Sequence, residues 1–101
     1  MLDLHLSNGQ GLSIETPSGG VEVWTVEVHP EDKQVDLEVV VPVEWALEAL
    51  TGTYKLHQEI AMQVPDGQIR IKVLRFRPRP DGTGGAVSLG IDAPRDWPIL
   101  R

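Results

Sequence analysis

Val35, Leu37, Val39, Pro42, Trp45 and Leu47 return as Val87, Leu89, Ile91, Pro94, Trp97 and Ile99, each 52 positions later (87 − 35). Polar residues separate most of these apolar ones, so the shared pattern has the period of two of a half-buried strand. A chain of 101 residues is one compact domain by length. Half of it would bury too little surface to be secure alone. The two copies, 1–50 and 53–101, are therefore expected to share one core.

Turn chemistry divides the rest of the chain. Leu2, Leu4 and Leu6 alternate with Asp3 and His5 before the turn Ser7-Asn8-Gly9-Gln10-Gly11. Leu12 and Ile14 resume the alternation, and Thr16-Pro17-Ser18-Gly19-Gly20 breaks it. The next strand is read as Val21, Val23, then Thr25 or Trp24, Val26 and Val28. His29-Pro30-Glu31-Asp32 turns it into Val35–Val41. Glu44–Leu50 reads as a short helix by composition and as a strand by its alignment with the second copy. Thr51-Gly52-Thr53 is the expected junction. The second copy is expected as strands at Tyr54–His57, Ile60–Val64, Ile69–Phe76 and Ala86–Ala93, with a long loop from Arg77 to Gly85. About ten short strands at regular spacing predict an all-β sandwich or barrel, pseudo-symmetric, with about five strands in each copy.

Charge is divided as well. Residues 1–50 carry ten acids and one base, a net of −9, whereas residues 51–101 carry five acids and eight bases, a net of +3. The acidic half keeps such a chain soluble; the basic half offers a place for a polyanion or an acidic partner. Arg70, Lys72, Arg75, Arg77 and Arg79 form its densest run, with Arg70 and Lys72 expected on one strand face and the other three on another. The alternative is a solvated edge that discourages strand-to-strand aggregation.

Other chemistry is poorly represented. There are no cysteines, so disulfides and thiolate metal sites are excluded. His5, His29 and His57 lack the close spacing of a zinc motif, although His5 and His57 are both expected on opening strands. No nucleophile elbow is present, and Gly82, Gly84 and Gly85 lack the context of a phosphate loop. Neither enzymatic activity nor a metal or other cofactor is expected. Trp45 and Trp97 are expected in the core, with Trp24 left open between core and surface. No export signal or membrane span is read, so the expected location is the cytoplasm.

The segment Val87-Ser88-Leu89-Gly90-Ile91-Asp92-Ala93-Pro94-Arg95-Asp96-Trp97-Pro98-Ile99-Leu100-Arg101 resembles the end of the CsrA/RsmA family of carbon storage regulators. Met1-Leu2-Asp3-Leu4-His5-Leu6, Gly9-Gln10, Leu12-Ser13-Ile14 and Lys33-Gln34-Val35 are similar to that family's opening and middle. The resemblance covers nearly the whole chain, as two copies. Members are usually one copy long, dimerise by interleaving strands, and bind messenger RNA around GGA motifs to change translation. By that resemblance this chain is a dimer fused through Thr51–Thr53, expected as a monomer in solution, with a strand-swapped dimer as the alternative.

The resemblance also implies where RNA contacts fall. The first strand of one copy and the last strand of the other build each site, with an arginine on each strand. One composite site then comprises Leu4, Leu6, Arg95, Ile99 and Arg101, with Arg101 the last-strand arginine. In the other, Leu47–Ala49 faces Tyr54–Gln58; Ala49 replaces the last-strand arginine, and Leu56 or Gln58 stands at the first-strand position. Three of four arginines are replaced, so at most one site is partly kept. Two functions follow as expectations: an RNA-binding translational regulator acting on messenger or small RNA, or a protein-interaction module that kept the fold and lost the RNA.

Overall fold

The computed structural model describes residues 1–45, 50–80 and 84–101. Its strands are β1 (Leu2–Ser7), β2 (Gly11–Thr16), β3 (Gly19–His29), β4 (Gln34–Val40), β5 (Gly52–Lys55), β6 (Glu59–Val64), β7 (Gly67–Pro78), β8 (Gly85–Asp92) and β9 (Ile99–Leu100). They form two antiparallel sheets, ordered β1-β8-β7-β6 and β5-β4-β3-β2-β9, so the fold is an all-β sandwich and not a closed barrel. A 3-10 turn covers Val43–Trp45; the remainder of the segment read as helix or strand, 46–49, lies outside the described residues.

The halves interleave. β1 pairs with β8 of the second repeat, and β5 pairs with β4 of the first. Leu6 stands opposite Val87, and Tyr54 stands opposite Val35. These registers align Leu6 with Tyr54 (54 − 6 = 48), as Ile14↔Val21 and Met62↔Ile69 align the two following hairpins. The repeat is thus offset by 48 through the first three strands and by 52 in the fourth. The four extra residues lie between β7 and β8.

This register corrects the opening of the second copy. Its strand starts at Gly52, inside the expected junction, and ends at Lys55; Leu56 and His57 form the turn expected as strand. His57 takes the left-handed position of Gly9, with φ of +69° against +81°. Its place is held by paired backbone bonds, His57 N to Val73 O at 2.8 Å and Val73 N to Gln58 O at 3.0 Å. The first repeat makes the same two bonds through Gly9, Thr25 and Gln10. Leu56 and Gln58 are therefore not the counterparts of Leu6.

One core spans both repeats. Leu12, Ile14, Val21, Val23, Val35 and Leu37 from the first pack with Ile60, Met62, Ile69, Ile71, Val87 and Leu89 from the second. Trp97 is buried and Trp45 is packed against the same core, each covering a glycine of the tight turn before the third strand of its repeat. A Cβ on Gly19 would meet Pro42 at 2.9 Å, and one on Gly67 would meet Trp97 at 3.3 Å, both at positive φ. Ser18 N donates to Asp66 Oδ2 at 2.9 Å, joining equivalent positions and so marking the pseudo-twofold axis. No described helix is long and apolar enough to cross a membrane.

The core has one polar flaw. Thr25 is fully buried, and its hydroxyl makes no hydrogen bond among the described residues. Its counterpart is Val73, equally buried (73 − 25 = 48). An orphaned hydroxyl carries a desolvation penalty that an isosteric methyl avoids. Thr25→Val is therefore expected to stabilise the protein by about 1 kcal/mol, read as a higher urea midpoint with unchanged slope.

Candidate nucleic-acid interface

The positive face begins with a bulge. In β7, Ile69, Ile71 and Val73 point inward, but the register against β8 shifts between Val73 and Arg75, and the next core-packed residue is Phe76. The extra residue, Leu74, reverses the alternation. Arg70, Lys72, Arg75 and Arg77 consequently share the outer face of the β1-β8-β7-β6 sheet, whereas strict alternation placed them on two faces. Arg79 is exposed beyond the strand end. A single-strand reading misses this, although the switch of apolar residues from Val73 to Phe76 is its trace in the sequence.

A hydrogen-bonded row crosses that face. His5 lies opposite Ser88, and Ser88 lies opposite Arg75. Arg75 Nε donates to Ser88 Oγ at 3.3 Å, and Arg75 Nη2 donates to Asp3 Oδ2 at 2.7 Å. Ser88 Oγ lies 2.6 Å from His5 Nδ1. The Ser88 hydroxyl thus bridges the Arg75 guanidinium and the His5 ring, accepting from Arg75 Nε with one lone pair and keeping a second lone pair and its proton for the bond to Nδ1. Arg101 Nη2 completes the row by donating to the His5 carbonyl at 3.0 Å. Ser88 is buried, while His5, Arg75 and Arg101 are exposed. The row links Arg101 to the β7 arginines, which the sequence presented as two separate candidates.

The other expected contacts divide by burial. Leu6 is in the core, and Leu4 and Ile99 pack against it, so these three form the apolar floor under the β1–β9 edge. Arg95 is exposed in the turn between β8 and β9, beside the Pro94–Trp97 anchor and off that edge. In the second composite site, Tyr54 occupies the position of Leu6 and its hydroxyl donates to the Leu50 carbonyl. Leu47 and Ala49 lie outside the described residues. His57 sits in a turn rather than on an opening strand, so it does not mirror His5.

The opposite sheet repeats the row with its charges changed. Glu27, His29, Asp36 and Thr53 occupy the positions of Arg75, Arg77, Ser88 and His5. Thr53 Oγ1 donates to Asp36 Oδ1 at 2.6 Å, and His29 Nε2 lies 3.2 Å from Asp36 Oδ2 and 3.9 Å from Glu27 Oε2. Bonds from Thr53 and then His29 hold the Asp36 carboxyl below its ordinary range. The bond to Asp36, with Glu27 and Asp32 nearby, raises the His29 imidazole above its own. Glu27, His29 and Asp36 bring ligating atoms within 4.8 Å of one another, and the His29–Asp36 bond accounts for that closeness without an ion.

The pH dependence follows from these directions. The raised imidazole contributes stability fully below 6.5 and loses it as pH rises through the folded value. The depressed carboxyl contributes above 3.8 and loses it as pH falls through its folded value. The pair is thus strongest between those limits. Asp36→Asn should lower the His29 titration midpoint, followed by the imidazole proton resonances. An unchanged midpoint would remove Asp36 as the cause.

No family model, curated protein or solved structure matches the chain.

Proposed function

We propose that the chain is a CsrA-like, RNA-binding post-transcriptional regulator of the cytoplasm, a dimer in one polypeptide with a single working RNA site. The observation that carries this reading is the row from Arg101 through His5 and Ser88 to Arg75. It joins the last-strand arginine that the resemblance implies to four cations on one open sheet face. The resemblance to carbon storage regulators, carried by Gly90–Arg101, supplies the ligand: single-stranded GGA in a messenger or small RNA. Arginine forks suit guanine edges and phosphates alike. The buried Ser88 fixes Arg75 from below, so part of its ordering entropy is spent before RNA arrives. Binding at this site would cover the nucleotides around the motif and alter translation.

Electrostatics orients the RNA. Its phosphates track Arg77 and Arg75 on the basic sheet and reach Arg101, which crosses from the end of β9 to the His5 carbonyl of β1. They avoid the outer face of the acidic sheet, where Glu15, Glu22, Glu27, Asp36 and Glu38 face solvent. One retained family arginine in place of four predicts affinity well below that of a complete double site, each bidentate contact being worth about 1–3 kcal/mol.

A titration with a GGA hairpin RNA at two salt concentrations tests the proposal. Micromolar or tighter binding is expected, weakening as salt rises. Arg101→Ala and Arg75→Ala should each lower affinity about tenfold, and a hairpin with GGA replaced should bind less well. Absence of binding at low salt would overturn the reading in favour of a protein-interaction module, which the acidic sheet favours. The interleaving within one chain further predicts a monomer of 11.1 kDa in sedimentation. A stable dimer would indicate strands exchanged between chains.

A further inference from the structure

Outside the proposed RNA face, the outer surface of the β5-β4-β3-β2-β9 sheet combines charge with exposed apolar area. Trp24, Val26 and Val40 are 41%, 54% and 40% exposed, in a chain whose other two tryptophans are covered. Trp24 stands between Gly11 and Glu38 in its cross-strand row, and Glu22 stands between Ser13 and Val40 in the next. The ring lies on Gly11 so closely that a Cβ there would be 2.6 Å from Trp24 Cε3. β2 thus holds the indole as a flat plate, with carboxylates of Glu22 and Glu38 on the neighbouring positions.

The pseudo-twofold supplies an internal comparison. The position of Trp24 is Lys72 on the other sheet, that of Val40 is Asp92, and that of Val26 is Leu74 (48 or 52 positions on). Leu74 folds back over Gly90, where a Cβ would be 3.1 Å from its methyl. Glu38 takes the place of Gly90, and Val26 stays open. One backbone therefore carries on one side a charged surface with Lys72 at the position of Trp24. On the other it carries an aromatic plate and two valines among Glu22, Glu27, Asp36 and Glu38.

We infer that this face is a docking surface for a basic segment of a partner protein, with an arginine or lysine of that segment stacked on Trp24 and paired with Glu22 and Glu38. Charge complementarity selects the occupant. A cation over the indole is attracted by the ring, and the flanking carboxylates strengthen it. RNA is repelled by the same carboxylates. A second copy of this chain offers a poorer match, because Asp3, Glu59 and Asp92 lie among the cations of its basic sheet. Arg101 lines the cleft beside Trp24 and Glu22, but its guanidinium is bonded to the His5 carbonyl of β1 and forms no ion pair with Glu22. The inference rests on Trp24, Glu22 and Glu38, none of which the RNA proposal uses as a contact, although Arg101 borders both faces.

A labelled oligoarginine peptide, followed by fluorescence anisotropy on the full chain, tests it. Wild type should bind, and Trp24→Ala and the double variant Glu22→Gln/Glu38→Gln should each weaken binding about tenfold. Glu59→Gln/Asp92→Asn removes the same charge from the other sheet and should leave binding within about twofold of wild type. Unchanged affinity in Trp24→Ala, or equal loss in the two double variants, would overturn the inference by reducing the effect to net charge. Salt-sensitive self-association of the chain in sedimentation, suppressed by the same face variants, would overturn it in favour of a second copy. GGA-hairpin affinity of Glu22→Gln/Glu38→Gln should be retained, so loss of peptide and loss of RNA report on different faces.

Discussion

The reciprocal pairing of β1 with β8 and of β5 with β4 is the constraint on which the rest of the molecule depends. Neither repeat completes a sheet by itself, and each contributes its opening strand to the other. The core inherits this arrangement, since Leu6 is buried among second-repeat residues and Tyr54 packs beside Val35. A four-residue strand such as β5 has little stability as an isolated edge. Here its place is secured by the Tyr54 hydroxyl on the Leu50 carbonyl and by Thr53 on Asp36.

Within that shared frame the two halves have diverged almost entirely on their outer faces. Most inward positions exchange one apolar residue for another, as Ile14 for Met62 and Val21 for Ile69, with Thr25 for Val73 a polar exception. Outward positions exchange charge: Glu22 for Arg70, Glu27 for Arg75, Asp36 for Ser88. The bulge present in both third strands gathers each set onto one surface. The result is a sandwich with a cationic side and an anionic side, joined by a largely apolar interior that includes Thr25.

Much of this fold was legible in the sequence because alternation and turn residues are local signals. The opening of the second repeat was not, because its turn uses His57 where the first uses Gly9, and a left-handed histidine has no compositional signature. The bulges left only a trace, in the alternatives of Thr25 or Trp24 after Val23 and in the step from Val73 to Phe76. The row on the cationic face depends on a bond between residues 83 positions apart, His5 and Ser88. No local pattern connects them; only the pairing of β1 with β8 does. Trp24 shows the same limit, since its exposure depends on Gly11 lying beneath it.

The exchange of opening strands also sets the order in which the chain can be built during synthesis. β1 precedes the other eight described strands, yet its hydrogen-bonding partner is complete only at Asp92. Until then Leu2, Leu4 and Leu6 belong to an unsatisfied edge, available to any other strand nearby. Such a long-range closure slows folding relative to a chain of local hairpins. Asp3 and His5 between the leucines keep one face of this waiting strand polar.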